Sequence, residues 1–170
     1  MRPQTKIIHI QWQGPFALPK IKSMKDDSKD YGVYQIYGAH RVYGTNVLLY
    51  LGKASEQTFA KRIGQEEWDV WEYNEGKVEI RLGRLYGEQT PSDKQWENQI
   101  DLAEVLLINA HKPAQNASSI GELSQLRDKD LRNVHVLNWG DFGALLPEVS
   151  GDRWTDKWVS DKFDVYGAHE

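Results

Sequence analysis

The chain has no cysteine. That absence excludes disulfides, thiolate nucleophiles and cysteine zinc sites together. It also has no apolar run of about 18 residues, so no membrane-spanning helix is expected. The opening stretch MRPQTKIIHIQWQGPF lacks an apolar segment followed by a small-residue cleavage site and does not read as a signal peptide. A cytoplasmic protein without membrane association is the expectation. There is no excess of positive charge: the sum is −4. This disfavours a protein whose entire surface binds nucleic acid, but leaves room for a local basic patch. No internal repeat and no low-complexity segment is present. What the chain does have is aromatic residues, with seven Trp and eight Tyr in 170 residues. Their default use is to fill cores. The length suits one domain, 1–170.

The periodicities predict a short series of elements. Ile7–Trp12 reads as a strand, followed by a polar stretch whose KDDSKD run at Lys25–Asp30 reads as a solvated loop. The run from Tyr31 to Tyr37 is aromatic and β-branched and predicts a strand. Residues 38–46 carry turn formers, and Val47–Leu51 is a second strand, which predicts an antiparallel pair. Ser55 is a candidate N-cap for a helix through Phe59 and Ile63. Residues 65–77 give no assignment. Lys77–Leu85 alternates as a half-buried strand does. Ser92 and Gln95 form a capping box for a helix that ends near His111, before Pro113. A helix over Ile120–Leu131 and a strand over Val134–Trp139 follow. The aromatic tail from Gly140 is expected to pack on the domain.

One feature of the main helix is odd. With Trp96 at zero and ~100° per residue, Ile100, Ala103 and Leu107 cluster between about −20° and about 40° and Ile108 falls near ~120°. Glu104 falls near ~80°, between Leu107 and Ile108 and inside the apolar arc. A buried carboxylate must be paired or hold a metal. The plainer reading is a shoulder glutamate reaching solvent or an arginine. Tyr34 and Tyr50 lie on the paired strands beside glycines, and Lys53 and Arg62 flank the next helix. Alone, each of these reads as core or solvated surface.

Together they have an order. Gly32-Val33-Tyr34 resembles the GIY element and Tyr50-Leu51-Gly52 the YIG element of the GIY-YIG nuclease family. The extension Lys53-Ala54 is similar to the excision-repair branch. Arg62 matches the arginine of the following helix, with Lys61 as the alternative in a shifted register. Ala103–Ile108, then His111-Lys112-Pro113 and Asn116, resemble the metal-binding glutamate segment and its closing asparagine. Glu66 stands where that family often has His or Tyr. The resemblance covers about residues 31–116 and leaves extensions at 1–30 and 117–170.

This resemblance implies an α+β fold: a small three-stranded antiparallel sheet flanked by helices. It implies a metal-dependent endonuclease acting on nucleic acid, DNA first, with a single Mg²⁺ or Mn²⁺. Glu104 would be the metal ligand. Tyr34 or Tyr50 would be the general base, Lys53 would lower the tyrosine pKa, Arg62 would bind the scissile phosphate and Asn116 would brace the site. Further phosphate contacts are expected from Lys61, Lys112, Arg81 and Arg84. The reading from another class is a catalytically silent nucleic-acid or protein binding module on the same fold.

Overall fold

The computed structural model describes residues 4–65, 77–116 and 131–154. The expected helix at 120–131 apart from its last residue, Glu66, and the tail beyond residue 154 lie outside them. Strand β1 spans Lys6–Ala17 and is followed by a single helical turn, α1, at Leu18–Ile21. Strands β2 (Gly32–His40) and β3 (Gly44–Ala54) form a hairpin, and helix α2 covers Phe59–Gly64. Strand β4 (Glu79–Tyr86) leads to the long helix α3, Asp93–His111. Strands β5 (Val134–Gly140) and β6 (Glu148–Ser150) and the turn α4 (Gly151–Trp154) complete the described chain.

The six strands form one mixed sheet in the order β3-β2-β4-β1-β5-β6. This corrects the expected small three-stranded sheet flanked by helices. The hairpin β2–β3 is antiparallel as its spacing suggested, and β4 pairs antiparallel with β2, but these three strands make only half of the sheet. The supposed N-terminal extension supplies β1, which lies between β4 and β5. The supposed C-terminal extension supplies β5, which runs parallel to β1 from Lys6↔Val134 to Trp12↔Gly140. The physical reason lies in the alternation of β1. Ile8, Ile10 and Trp12 all point to one side and need a covered face, and α3 supplies it.

Two cores follow from the two faces of the sheet. On one, Ile8, Ile10, Trp12, Val33, Leu51 and Val136 pack against Ile100, Ala103, Leu106 and Leu107 of α3. On the other, Tyr34, Ile36, Ile80 and Leu82 pack against Phe59 and Ile63 of α2 and Ile21 of α1. Trp12 keeps its indole N–H satisfied in the first core by donating to Asn138 Oδ1 at 2.8 Å. Thr58, not Ser55, is the N-cap residue of α2. At α3, the Ser92 backbone N–H donates to Gln95 Oε1 at 3.2 Å, one arm of the expected capping box. The helix ends at Lys112 in the left-handed conformation, φ 45°.

The KDDSKD stretch is not a solvated loop at its end. Asp30 is buried and accepts from Arg84 Nη2 at 2.6 Å and from the Asp26 N–H at 2.8 Å. Arg84 also donates to Gln13 Oε1 at 2.9 Å and stands 5.4 Å from the Phe59 ring centroid. This knot ties β1, β4 and α2 to one loop.

His111 closes the far end of α3. Its Nε2 accepts from the Leu146 N–H at 2.8 Å, and its Nδ1 lies 2.8 Å from the Leu107 carbonyl. A backbone N–H can only donate, so the ring is neutral with its proton on Nδ1. Burial holds its pKa below the ordinary value, and the Leu107 bond opposes that shift. The unfolded chain therefore binds this proton more readily than the folded one. Stability contributed here is full above about pH 6.5 and falls as pH drops through the gap to the folded pKa. Urea midpoints at pH 5 and pH 8 should differ less for His111→Gln than for the wild type. An equal difference in both would assign the acid sensitivity elsewhere.

Candidate active site

The residues singled out in the sequence gather on one short piece of backbone, Tyr50–Lys53 of the edge strand β3. Tyr34 sits opposite Gly52 in the β2–β3 register. Its ring is fully buried and lies 6.1 Å from that of Tyr50, at 29° between planes. Both rings rest on Gly52. A Cβ there would come within 2.6 Å of Tyr34 Cζ and of Tyr50 Cε1. The glycine between Leu51 and Lys53 is therefore demanded by the tyrosine pair.

Asn116 is buried and acts as a one-residue strand. It accepts from the Leu51 N–H at 2.8 Å and donates to the Leu51 carbonyl at 2.9 Å. The backbone just before it continues the pattern: the Gln115 N–H donates to the Leu49 carbonyl at 2.8 Å. The segment after α3 thus blunts an otherwise open sheet edge. Asn116→Ala would leave two backbone groups of a buried strand without partners. A loss of about 2–3 kcal/mol is expected in urea unfolding. A change below a few tenths of a kcal/mol would mean that water replaces the amide.

Glu104 reaches the same edge from α3 and accepts a hydrogen bond from the Lys53 backbone N–H. Burial pushes its pKa up to about 7, and the nearby Asp101 charge adds to this. The charges of Lys53 and Arg62, with the Lys53 N–H, pull the other way. The Lys53 ammonium is 2.8 Å from Asp101 Oδ1 but 3.8 Å from Glu104 Oε2. Burial works against that ammonium, yet the Asp101 bond and the charges of Glu104, Asp101 and Glu56 raise its pKa overall. The two shifts are compatible because the lysine's close partner is Asp101. Glu104 is left with the Lys53 backbone N–H, the more distant Lys53 ammonium and the Arg62 charge.

The side chains do not all leave from one face. Residues paired across strands share a face and alternate along them. Tyr34, Tyr50 and Gly52 therefore face α2, whereas Lys53 faces α3 with Glu104 and Asp101. Arg62 is carried by α2, whose Phe59 and Ile63 pack in the same core as Tyr34, and its charge acts on Glu104. The edge strand is where the two groups meet. Lys61 and Lys112 are exposed. Arg84, expected at the strand's edge as a phosphate contact, is tied to Asp30, and Arg81 stands 5.4 Å from the Tyr37 ring centroid.

Asp101 was missed. Its signal was present: it lies one turn before Glu104, and residues three apart on a helix are neighbours. The donor set suits a hard cation that keeps most of its waters, as Mg²⁺ does with one or two carboxylates. Among the described residues no group of three or more His, Cys, Asp or Glu side chains surrounds a common point. Comparison with protein-family models, curated proteins and solved structures finds no match for this chain.

Proposed function

We propose that the protein is a metal-dependent endonuclease that hydrolyses phosphodiester bonds in nucleic acid at the Tyr50–Lys53 edge. The observation that supports this is the convergence there of Tyr34, Tyr50, Glu104 and Asn116, with Arg62 acting electrostatically on Glu104. A buried carboxylate with a raised pKa, acted on by the charges of Lys53 and Arg62, on a strand whose other face carries a tyrosine pair, has little purpose as packing.

Glu104 would hold a single Mg²⁺ or Mn²⁺, which supplies charge neutralisation at the phosphate. The protein's own groups do the rest. One of the two tyrosines takes the proton of the attacking water. An ordinary tyrosine titrates near pH ~10 and needs a cation to ionise more readily. Arg62, on the tyrosine side, fits that need better than Lys53, whose charge is committed to Asp101. The Arg62 guanidinium also matches the oxygens of a phosphate. Asn116 holds the strand under the reacting group and touches no substrate, so it is a positioning residue.

The test is cleavage of plasmid and oligonucleotides with Mg²⁺ or Mn²⁺ against EDTA. Tyr34→Phe and Tyr50→Phe each remove one hydroxyl. The variant lacking the base should slow by about 10²–10⁴-fold and the other by less. Two variants that cut like the wild type would remove the tyrosines from the chemistry. A protein that binds nucleic acid but never cuts would be the silent module instead.

A further inference from the structure

Part of the α2-facing side of the sheet is exposed among the described residues. Along β1, Ile7, His9, Gln11 and Gln13 alternate with the buried Ile8, Ile10 and Trp12. His9 pairs with Tyr86 on β4 and Leu137 on β5, and Gln11 pairs with Trp139. These residues share one face. Tyr86 is 59% exposed and Trp139 46% exposed. The His9 and Trp139 rings stack at 6.1 Å and 21°, and the Trp139 indole N–H donates to His9 Nδ1 at 3.1 Å. Two exposed rings, Tyr86 and Trp139, and the half-buried His9 between them therefore lie across three neighbouring strands, with His9 and Trp139 fixed to each other.

The register also relates this row to the candidate active site. Tyr34 pairs with Leu82, and Leu82 with Gln13. The tyrosine pair and the open rings are thus on the same face. From β3 to β1 is three strand spacings, about 14 Å.

Two cavities flank Trp96, and their charges differ. One, of about 250 Å³, is walled by Asp27, Glu56, Asp93 and Glu97 and by no lysine or arginine. The other, of about 270 Å³, is walled by Lys29, Arg84 and Tyr86 and by no carboxylate. Asp30 neutralises much of the Arg84 charge, while Lys29 is exposed and meets Asp26 only at 3.4 Å. The cationic cavity shares Tyr86 with the open rings. A phosphate fits it, and the acidic cavity repels one.

We propose that this face binds a segment of single-stranded nucleic acid, with bases stacked on Tyr86, His9 and Trp139 and a phosphate at Lys29. The proposal rests on the nuclease reading for its choice of partner. Every base has a flat face, so stacking is sequence-tolerant. Gln11, and Gln13 through its amide N–H groups, can hydrogen-bond base edges without selecting one base. With one exposed cation, Lys29, at the cavity, affinity depends weakly on salt.

The experiment uses the full chain with Glu104→Gln, without metal, and fluorescence anisotropy of labelled ten-nucleotide oligo-dT and oligo-U, with a DNA duplex as comparison. Single strands should bind more tightly than duplex. Combined Trp139→Ala and Tyr86→Ala should weaken binding at least tenfold, Trp139→Phe should largely retain it, and Lys29→Ala should reduce its salt dependence. Both aromatic positions are exposed, so these variants keep the fold. Unchanged affinity in the double variant, preference for duplex, or no binding by any single strand overturns the proposal. So does a dimer of the parent protein that the double variant dissolves, because the face would then belong to a second copy. Cleavage by the same double variant made with native Glu104 separates the two readings. Strand binding through this face without cutting removes the nuclease reading alone. Cutting with binding unaffected by the double variant removes this proposal alone.

Discussion

Glu104→Gln is expected to lose metal-dependent cleavage by about a thousandfold or more, the scale of removing a principal electrostatic group, and yet to be more stable than the wild type without metal at pH 8. The amide keeps the shape and gives up the charge. Burial has raised the Glu104 pKa from 4.5 to about 7. The folded protein therefore binds this proton more tightly than the unfolded chain. In the wild type, the contribution of this group to stability falls as pH rises from about 4.5 to about 7 and is flat beyond. At pH 8 the ionised, buried carboxylate weakens the fold by at most about 3 kcal/mol. Glutamine removes that penalty. Thermal unfolding at pH 5 and pH 8 should show the gap between variant and wild type widening at pH 8. Mg²⁺ or Mn²⁺ should then raise the wild-type midpoint alone, by mass action. Cleavage should also rise with pH through about 7, where Glu104 becomes able to hold a cation. A variant that cuts normally, or one less stable than wild type at pH 8, would falsify the role assigned to Glu104.

Asp30→Ala is expected to be the most damaging of the single changes to stability. It strands Arg84, whose Nη2 lies 2.6 Å from Asp30 Oδ1, in a half-buried place. It also removes the acceptor of the Asp26 N–H. Breaking a buried pair on one side typically destabilises by about 3–5 kcal/mol, a large part of the ~5–15 kcal/mol available to a domain. Replacing both partners, Asp30→Ala with Arg84→Met, should recover a substantial part. The check is the urea midpoint of the three variants at pH 7. If the single variant loses under about 1 kcal/mol, the pair behaves as an ordinary surface bridge. The Phe59 N–H donates to the Asp30 carbonyl at 2.9 Å, so this loop also seats α2, and loosening it should reduce cleavage through Arg62.

The candidate site was legible because its signals are local. Glu104 fell inside the apolar arc of a helix that needs only a 3.6-residue period to recognise. Tyr34, Tyr50 and Lys53 lie on a hairpin whose strands are close in sequence. Even so, their facing was not legible. Tyr50 and Lys53 are three residues apart and leave a strand on opposite sides, which separates the lysine from the tyrosine it was expected to activate. Asp30 misled for a different reason. A charge run usually marks a solvated loop, and only the position of Arg84 on β4 turns its last carboxylate inward.

The amino-acid sequence by itself determined the elements with strong periods and clear stops: the β2–β3 hairpin, the β4 alternation, and α3 from its Ser92 cap to the turn before Pro113. It also determined that Ile8, Ile10 and Trp12 share one side of a strand, and that Glu104 sits on the apolar side of α3. Only the tertiary structure decided that β1 is central rather than an extension, and that β5 joins it in parallel across a long stretch of chain. Alternation says which side chains share a face, but backbone N–H and C=O groups pair with any strand. The choice of neighbour therefore depends on contacts that lie far apart in sequence. The same non-local pairing placed the tyrosine pair and the open row of Tyr86, His9 and Trp139 on one face, because a residue's face is shared across a sheet only once its partners are chosen.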